Sequence, residues 1–222
     1  GYKRFLFNVY LPKENGETTE IDVILLHETG IYVFESKNYS GWIFGTETQQ
    51  YWTQTLPVGK GKSQKTKFFN PIIQNKVHLK WLQQFLGAES QLPFYSYIVF
   101  SDRCTLKEIT LTSGNHFVIN RYNILTAVQS NVVRVGKQLE QKEVDRLYEK
   151  LYPLTQVSEA QKLIHIANVQ QKQQTDTANT AVMRCPRCGG TLVIRIANKG
   201  ERKGERFLGC SNYPKCRYIK NL

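Results

Sequence analysis

The sequence predicts a mixed α/β domain followed by a small C-terminal zinc-binding module. Three observations carry that expectation. Short apolar runs of strand character precede the first helical pattern and a buried-type strand follows it, the order of an α/β domain with a mixed sheet. The last forty residues hold four of the five cysteines, spaced C-x2-C-x21-C-x5-C. Between these parts, from Val157 to Thr180, the composition shifts to Gln, Asn, Thr and Ala.

The elements follow in order. Glu20 to Lys37 is predicted as a β-hairpin. Ile21-Asp22-Val23-Ile24-Leu25-Leu26 is an apolar run broken by one carboxylate, His27-Glu28-Thr29-Gly30 turns the chain, and Ile31-Tyr32-Val33-Phe34 is the second run. Gly41-Trp42-Ile43-Phe44-Gly45 and Tyr51-Trp52-Thr53-Gln54-Thr55 predict two further strands. Gly59-Lys60-Gly61-Lys62-Ser63 is no phosphate loop, because the position five before Gly61 is Leu56. It reads as a basic loop in which Lys60, Lys62, Lys65 and Lys67 are free to meet a DNA backbone.

Asn70 is placed as an N-cap and Pro71 as the first helical residue. Ile73, Val77, Trp81, Leu82 and Phe85 predict the buried stripe of that helix until Gly87 ends it, with His78 expected at the surface. Tyr95 to Phe100 reads as a buried central strand, Phe117-Val118-Ile119 as another, and short helices are expected over 121–130 and 136–151. Residues 158–172 are expected to be helical and the rest of that stretch a linker. The predicted boundaries are 1–153, 154–182 and 183–222.

Cys185, Cys188, Cys210 and Cys216 form two short-spaced pairs that can close a tetrahedral shell around one Zn2+. Cys185-Pro186-Arg187-Cys188-Gly189-Gly190 reads as a knuckle in which the glycines supply positive φ. The competing reading, two disulfides of a secreted scaffold, is opposed by a long remainder able to build its own core with only Cys104. Charge concentrates here: residues 183–222 carry 10 Lys+Arg against 2 Asp+Glu, whereas residues 1–182 carry 20 against 16. A basic module with interleaved aromatics suits nucleic acid, through phosphate contacts and base stacking. Arg187, Phe207, Tyr213, Lys215 and Arg217 are the candidate DNA contacts.

The second candidate site is Asp22 with Glu35 and Lys37. Glu35 and Lys37, two apart in a strand, share a face, and Asp22 lies on the neighbouring strand of the hairpin. Ionisable groups among apolar strand residues are costly unless paired or bound to a metal. Two close carboxylates repel, and a divalent cation relieves that repulsion. A lysine beside them can orient water and offset charge on a phosphorane-like transition state. A structural ion pair at the end of the sheet is the alternative on this pattern alone. The four histidines show no metal-ligand spacing, and Cys104 has no activating neighbour in the sequence.

Two resemblances sharpen these readings. CPRCGG, then TLVIR, then FLGCSNYPKC resembles the four-cysteine zinc finger repeated at the C-terminus of type IA DNA topoisomerases, over about 183–222. It implies a zinc ribbon that holds single-stranded DNA. Topoisomerase activity is not expected, since strand passage needs a large cleavage domain that 222 residues cannot hold.

Glu20-Ile21-Asp22, Gly30-Ile31-Tyr32-Val33-Phe34-Glu35-Ser36-Lys37-Asn38, Gly41-Trp42-Ile43 and Asn70-Pro71-Ile72-Ile73-Gln74 resemble, in order, the nuclease-related domain family, NERD. The match runs from about 18 to 86, with a weaker likeness to about 125. That family is similar to the PD-(D/E)XK nucleases, whose fold is a central mixed sheet flanked by helices. The resemblance implies DNA phosphodiester hydrolysis dependent on Mg2+ or Mn2+. Carried over by position, Asp22 and Glu35 are metal ligands, Lys37 is the catalytic lysine, and Gln74 sits on the helix bordering the site. Members of the superfamily can keep the fold without catalysis, so a silent DNA-binding adaptor is the alternative. The family usually places a helix with another acidic residue before the first strand. Here Glu20 follows Gly1 by only nineteen residues, so that helix and the natural start are expected to lie outside this sequence.

No run of 18 apolar residues occurs, so no transmembrane helix and no membrane partner are expected. Reduced thiols around zinc predict a cytoplasmic location.

Overall fold

The computed structural model describes residues 1–59, 61–179, 184–197 and 206–221. Lys60 of the expected basic loop, and residues 180–183 where the expected linker meets the finger, lie outside the described residues. The chain divides into two compact units, Gly1–His165 and Ile166–Leu222. The architecture is mixed α/β, with mixed sheets flanked by helices and a C-terminal ribbon carrying four clustered cysteines.

The first unit opens with three antiparallel strands, β1 (Lys3–Pro12), β2 (Thr18–His27) and β3 (Gly30–Lys37). Two residues, Glu28 and Thr29, join β2 to β3, and the Thr29 hydroxyl bridges the His27 ring and the Tyr32 phenol. Next come β4 (Gly41–Thr46), β5 (Tyr51–Gly59) and β6 (Lys62–Phe69), then α1 (Pro71–Leu86). This long crossover lets β7 (Phe94–Phe100) lie parallel to β3. After β8 (Cys104–Thr110), β9 (His116–Asn120) joins parallel to β7, giving the sheet order β1-β2-β3-β7-β9. The helices α2 (Ile124–Val135), α3 (Gln141–Leu151) and α4 (Glu159–Asn179) follow, and α4 runs across the boundary between the units.

Strand alternation sorts the core into layers. Ile31 and Val33 face one side with Ile24 and Leu26, packed by Leu82 and Leu86 of α1 and by Val144, Leu147 and Leu151 of α3. Tyr32 and Phe34 face the other side with Tyr95 and Tyr97, covered by Ile124, Val128 and Val132 of α2. A second sheet, β6-β5-β4-β8, lays Ile43 and Trp52 onto Ile72, Ile98 and Phe100. Gly45 is required there because a Cβ would run into the Trp52 indole.

Two expectations are corrected. Lys62 to Phe69 is a strand rather than a basic loop, because a turn with Gly59 and Gly61 at φ 85° and 72° folds it back along β5. On α1 the buried residues are Pro71, Ile72, Asn75, His78, Leu82 and Leu86, while Val77 is 42% exposed. The inner stripe thus lies beside the apolar one and includes two polar residues. The caps match the sequence: Asn70 Oδ1 accepts from Ile72 N, and Gly87 closes the helix at φ 65°.

In the second unit β10 (Leu192–Ile196), β11 (Arg206–Cys210) and β12 (Ile219–Asn221) form an antiparallel three-stranded ribbon in that order. No helix among the described residues is long and apolar enough to cross a membrane.

Candidate functional site

The β2–β3 ladder runs from His27↔Gly30 to Val23↔Phe34 and ends there. Asp22, the next residue on β2, takes over: its Oδ2 accepts a hydrogen bond from Ser36 N at 2.7 Å. A side chain replaces the backbone ladder where β3 presents Glu35 and Lys37. The irregularity extends to β1, where Asn8, bracketed by the pairs Phe7↔Val23 and Val9↔Ile21, has φ 51°. Leu6 and Val9 enter the same core although three residues apart, as do Ile21 and Ile24. Both strands change face at this level, a break in period-two alternation that re-aims Asp22.

Glu35 is 3% exposed and held from two sides. Lys37 Nζ donates to its Oε1 at 2.6 Å and to Gln74 Oε1 at 2.9 Å. His78 Nε2 lies 3.1 Å from Glu35 Oε2, off the line of a well-formed hydrogen bond. The Nδ1 of His78 is 2.8 Å from the Thr19 hydroxyl of β2, which fixes the ring. Gln74 and His78 stand one turn apart on α1 and reach the centre together. Asn75 seats that helix by donating to Val33 O at 3.1 Å and Ser96 Oγ at 2.8 Å.

His78 is therefore buried and in the centre, not at the surface as the sequence suggested. Its signal was available in the spacing Gln74-x-x-x-His78, which puts both side chains on one helix face. Glu20 points elsewhere, to His165 Nε2 at 3.7 Å.

The two carboxyls are pushed in opposite directions. Burial raises Asp22, helped by the charge of Glu35 and only partly countered by the Ser36 amide. Burial would raise Glu35 too, but the His78 contact and the Lys37 charge outweigh it and lower it. The donor set suits a hard divalent cation, which takes one or two carboxylates and completes its shell with water and phosphate oxygens. A cation held by Asp22 and Glu35 would relieve the burial and repulsion that raise Asp22. Cys104 is buried, its thiol pushed up by desolvation beside Asn120, which suits packing rather than nucleophilic attack.

The second site is the cysteine cluster. The Cys185 and Cys216 sulfurs are 3.7 Å apart, those of Cys188 and Cys210 3.3 Å, and all four lie within 4.8 Å of one another. Sulfurs at the corners of a zinc tetrahedron are separated by about 3.8 Å, given a Zn–S bond of about 2.3 Å. The four thiols are free, so they fit one structural Zn2+ and not the disulfide alternative. Gly189 N donates to Cys185 O at 2.8 Å to close the knuckle, with Gly189 at φ 71°. Gly190 does not take positive φ, and a Cβ there would lie 2.8 Å from Asn212 Nδ2, so that side chain would have to shift. Asn212 N points at Cys210 Sγ at 3.4 Å, and the backbone amide of Gly190 draws the Cys188 thiol down to about 6.

Around this cluster Arg187, Lys215 and Arg217 are exposed, Phe207 is half-buried, and Tyr213 is 60% exposed with the Arg195 guanidinium 5.7 Å from its ring centre.

Comparison with known proteins finds a family likeness for each of the two regions. Residues 1–101 match the nuclease-related domain (NERD) family, and residues 182–222 match the topoisomerase DNA-binding C4 zinc finger. An uncharacterized protein of Bacillus anthracis is 36% identical over 143 residues, 64% of this chain and 63% of that protein. DNA topoisomerase 1 of Archaeoglobus fulgidus is 32% identical over 94 residues, 42% of this chain but 13% of that enzyme. DNA topoisomerase 1 of Helicobacter pylori is 58% identical over 36 residues, 16% of this chain and 4% of that enzyme. The chain thus spans less than two thirds of each of these relatives. No solved structure matches it.

Proposed function

We propose that this chain, which carries a nuclease-related domain and a topoisomerase-type C4 zinc finger, is a Mg2+-dependent DNA nuclease whose ribbon holds single-stranded DNA. Catalysis belongs to residues 1–153, strand holding to 183–222, and 154–182 link the two. The observation that carries the reading is Glu35, a carboxylate 3% exposed beside Lys37, Gln74 and His78, at the level where Asp22 replaces the β-ladder. Sheet cohesion alone gives no reason to set Lys37 and His78 against one buried acid and Gln74 against that lysine.

The division of labour follows from the contacts. Asp22 and Glu35 would hold the divalent cation (Mg2+ or Mn2+), which supplies Lewis-acid charge neutralisation and a more acidic water. Lys37, fixed by Gln74 and Glu35, presents an ammonium that orients the attacking water and offsets negative charge gathering on the phosphoryl oxygens. Water adds to phosphorus and gives up its proton to solvent, the bridging P–O bond breaks, and the departing oxygen takes a proton from solvent. His78, tied to Thr19, keeps Glu35 from turning away.

In the ribbon, Arg187, Lys215 and Arg217 meet phosphates while Tyr213 and Phe207 stack on bases. Tethering that second contact raises the local concentration of substrate at the carboxylates. Zinc-bound thiolates need a reducing compartment, the cytoplasm.

A silent DNA-binding adaptor is favoured by one observation: both oxygens of Glu35 already face cationic or protonatable groups, as in a structural ion pair. Cutting of plasmid and single-stranded DNA in Mg2+ or Mn2+ separates the two readings. The nuclease cuts only with metal, and Glu35→Ala stops the cutting while DNA affinity stays nearly intact. Absence of cutting by the unaltered chain, with DNA still bound, selects the adaptor.

A further inference from the structure

The β6-β5-β4-β8 sheet buries one face and leaves the other to solvent. Ile43 and Trp52 point inward, both 0% exposed, so their strand neighbours Trp42 and Tyr51 point outward. Trp42, Tyr51 and Phe69 remain 44%, 43% and 42% exposed. The register sets them on one grid. Tyr51 lies opposite Phe69, Thr53 opposite Lys67, and Thr55 opposite Lys65, while Trp42 lies opposite Thr55 on the other side of β5. Lys65, Thr55 and Trp42 thus form one row across three strands at about 4.8 Å per strand, in which Thr55 is only 3% exposed and the lysine and the indole are the accessible groups. Lys67, Thr53 and Phe44 form the next row, and Phe69 with Tyr51 the third. Lys107 of β8 adds a further cation, its Nζ 5.5 Å from the centre of the Trp42 ring. Glu108, paired with Phe44 beyond the bulge in β4–β8, is the carboxylate in register with this grid.

We infer that this face is a binding platform for single-stranded nucleic acid, separate from the zinc ribbon. Exposed rings spread over one sheet face, Trp42 in the first row and Tyr51 with Phe69 in the third, offer apolar surfaces to unpaired bases, and base–aromatic stacking tolerates any sequence. The interleaved lysines supply the complementary charge for the phosphates that accompany those bases. A duplex keeps its base faces stacked inside, so it could use the lysines but not the rings. Trp42 follows Lys37 by five residues, so the backbone positions of the two lie at most about 18 Å apart.

Tryptophan fluorescence tests this directly, because the three tryptophans are residues 42, 52 and 81 and none lies in the ribbon. The full zinc-loaded chain carrying Glu35→Ala is titrated, without magnesium, with dye-labelled oligo(dT) or oligo(U). Anisotropy of the dye reports total binding and tryptophan quenching reports the platform. We expect quenching by single strands, most of it lost in Trp42→Phe with the melting temperature unchanged. Lys65→Glu combined with Lys67→Glu should weaken the quenching isotherm at least tenfold. It should also lower the slope of log K against log[salt] by about 1.4, at about 0.7 per phosphate contact of a single strand.

A larger response to one oligonucleotide than the other identifies the strand as DNA or RNA, and either supports the platform. The inference is overturned if Trp42→Phe leaves the quenching intact, if the lysine pair leaves the isotherm unchanged, or if duplex DNA quenches equally. Cutting by the unaltered chain is measured apart from these signals, so failure of the platform and failure of the nuclease reading are distinguished.

Discussion

Glu35 draws its chemistry from neighbours that come from three different elements. Lys37 shares its strand, while Gln74 and His78 reach it from α1 and Thr19 steadies His78 from β2. In the proposed nuclease His78 would orient Glu35 as outer-shell groups do elsewhere, where their loss costs about 10- to 100-fold in activity or metal affinity. His78→Gln is therefore expected to lower the cutting rate by about that factor while the thermal unfolding curve keeps its cooperativity. A rate equal to that of the unaltered chain would show that the ring only fills space. Asp22, Glu35, Lys37 and Gln74 could be singled out from the sequence because charged or amide groups stand out among apolar runs and after a capped helix start. His78 could not be found by hydrophobic periodicity, since the helix buries a stripe one position off its apolar one. Polar side chains occupy the inner positions where the site needs them.

At the level of elements, two polar residues organise what hydrophobic pattern leaves open. Asn70 caps α1 through Ile72 N and also donates to the carbonyls of Thr46, Glu47 and Gln49 at 3.2, 3.1 and 2.6 Å. Asn70→Ala removes the cap and strands buried carbonyls, so it should cost about 2 kcal/mol or more in denaturant unfolding. Glu47 ties the β8–β9 loop to the second sheet: its carboxylate accepts from the amides of Thr112 and Ser113, both at 2.9 Å, and pairs with Lys76. The Thr112 amide leads the groups that hold its carboxyl far below the ordinary range. Because the folded value is depressed, its stabilisation is full above the unfolded value of about 4.3 and fades as pH falls below it. The stability gap between the unaltered chain and Glu47→Gln should accordingly be constant near neutrality and narrow in acid. A gap that widens in acid would reverse this assignment.

Neither residue could be assigned these roles from sequence, because their partners lie in turns with no periodic signature. The strands β6 and β8 escaped for a related reason. They are edge strands, and the lysines and threonines that keep an edge soluble erase the apolar alternation that marks a strand. For β1, the face change at Asn8 interrupts the period-two pattern within Lys3–Pro12.

For the whole molecule, the two units rest on different physics. The first has three apolar clusters and stands on burial, whereas the described residues of the ribbon bury little beyond its cysteines with Leu192, Leu208 and Tyr218, so a bound Zn2+ is expected to contribute to its folding. Purified under reducing conditions, the chain should carry about one zinc. Its removal by a chelator should abolish the strand affinity of the ribbon while leaving the sheet signal of the first unit, a split that circular dichroism and anisotropy can follow together. The cysteine spacing and the ordered acid, lysine and Asn-Pro segments made the two family likenesses readable in the sequence.

Whether the Glu35 centre hydrolyses DNA is decided by single-turnover cutting of a labelled strand across a Mg2+ titration, with the unaltered chain and Glu35→Ala side by side. A nuclease centred on Glu35 gives a rate that rises and saturates with Mg2+ in the former and stays at background in the latter. Equal metal-dependent cutting by both chains would contradict it.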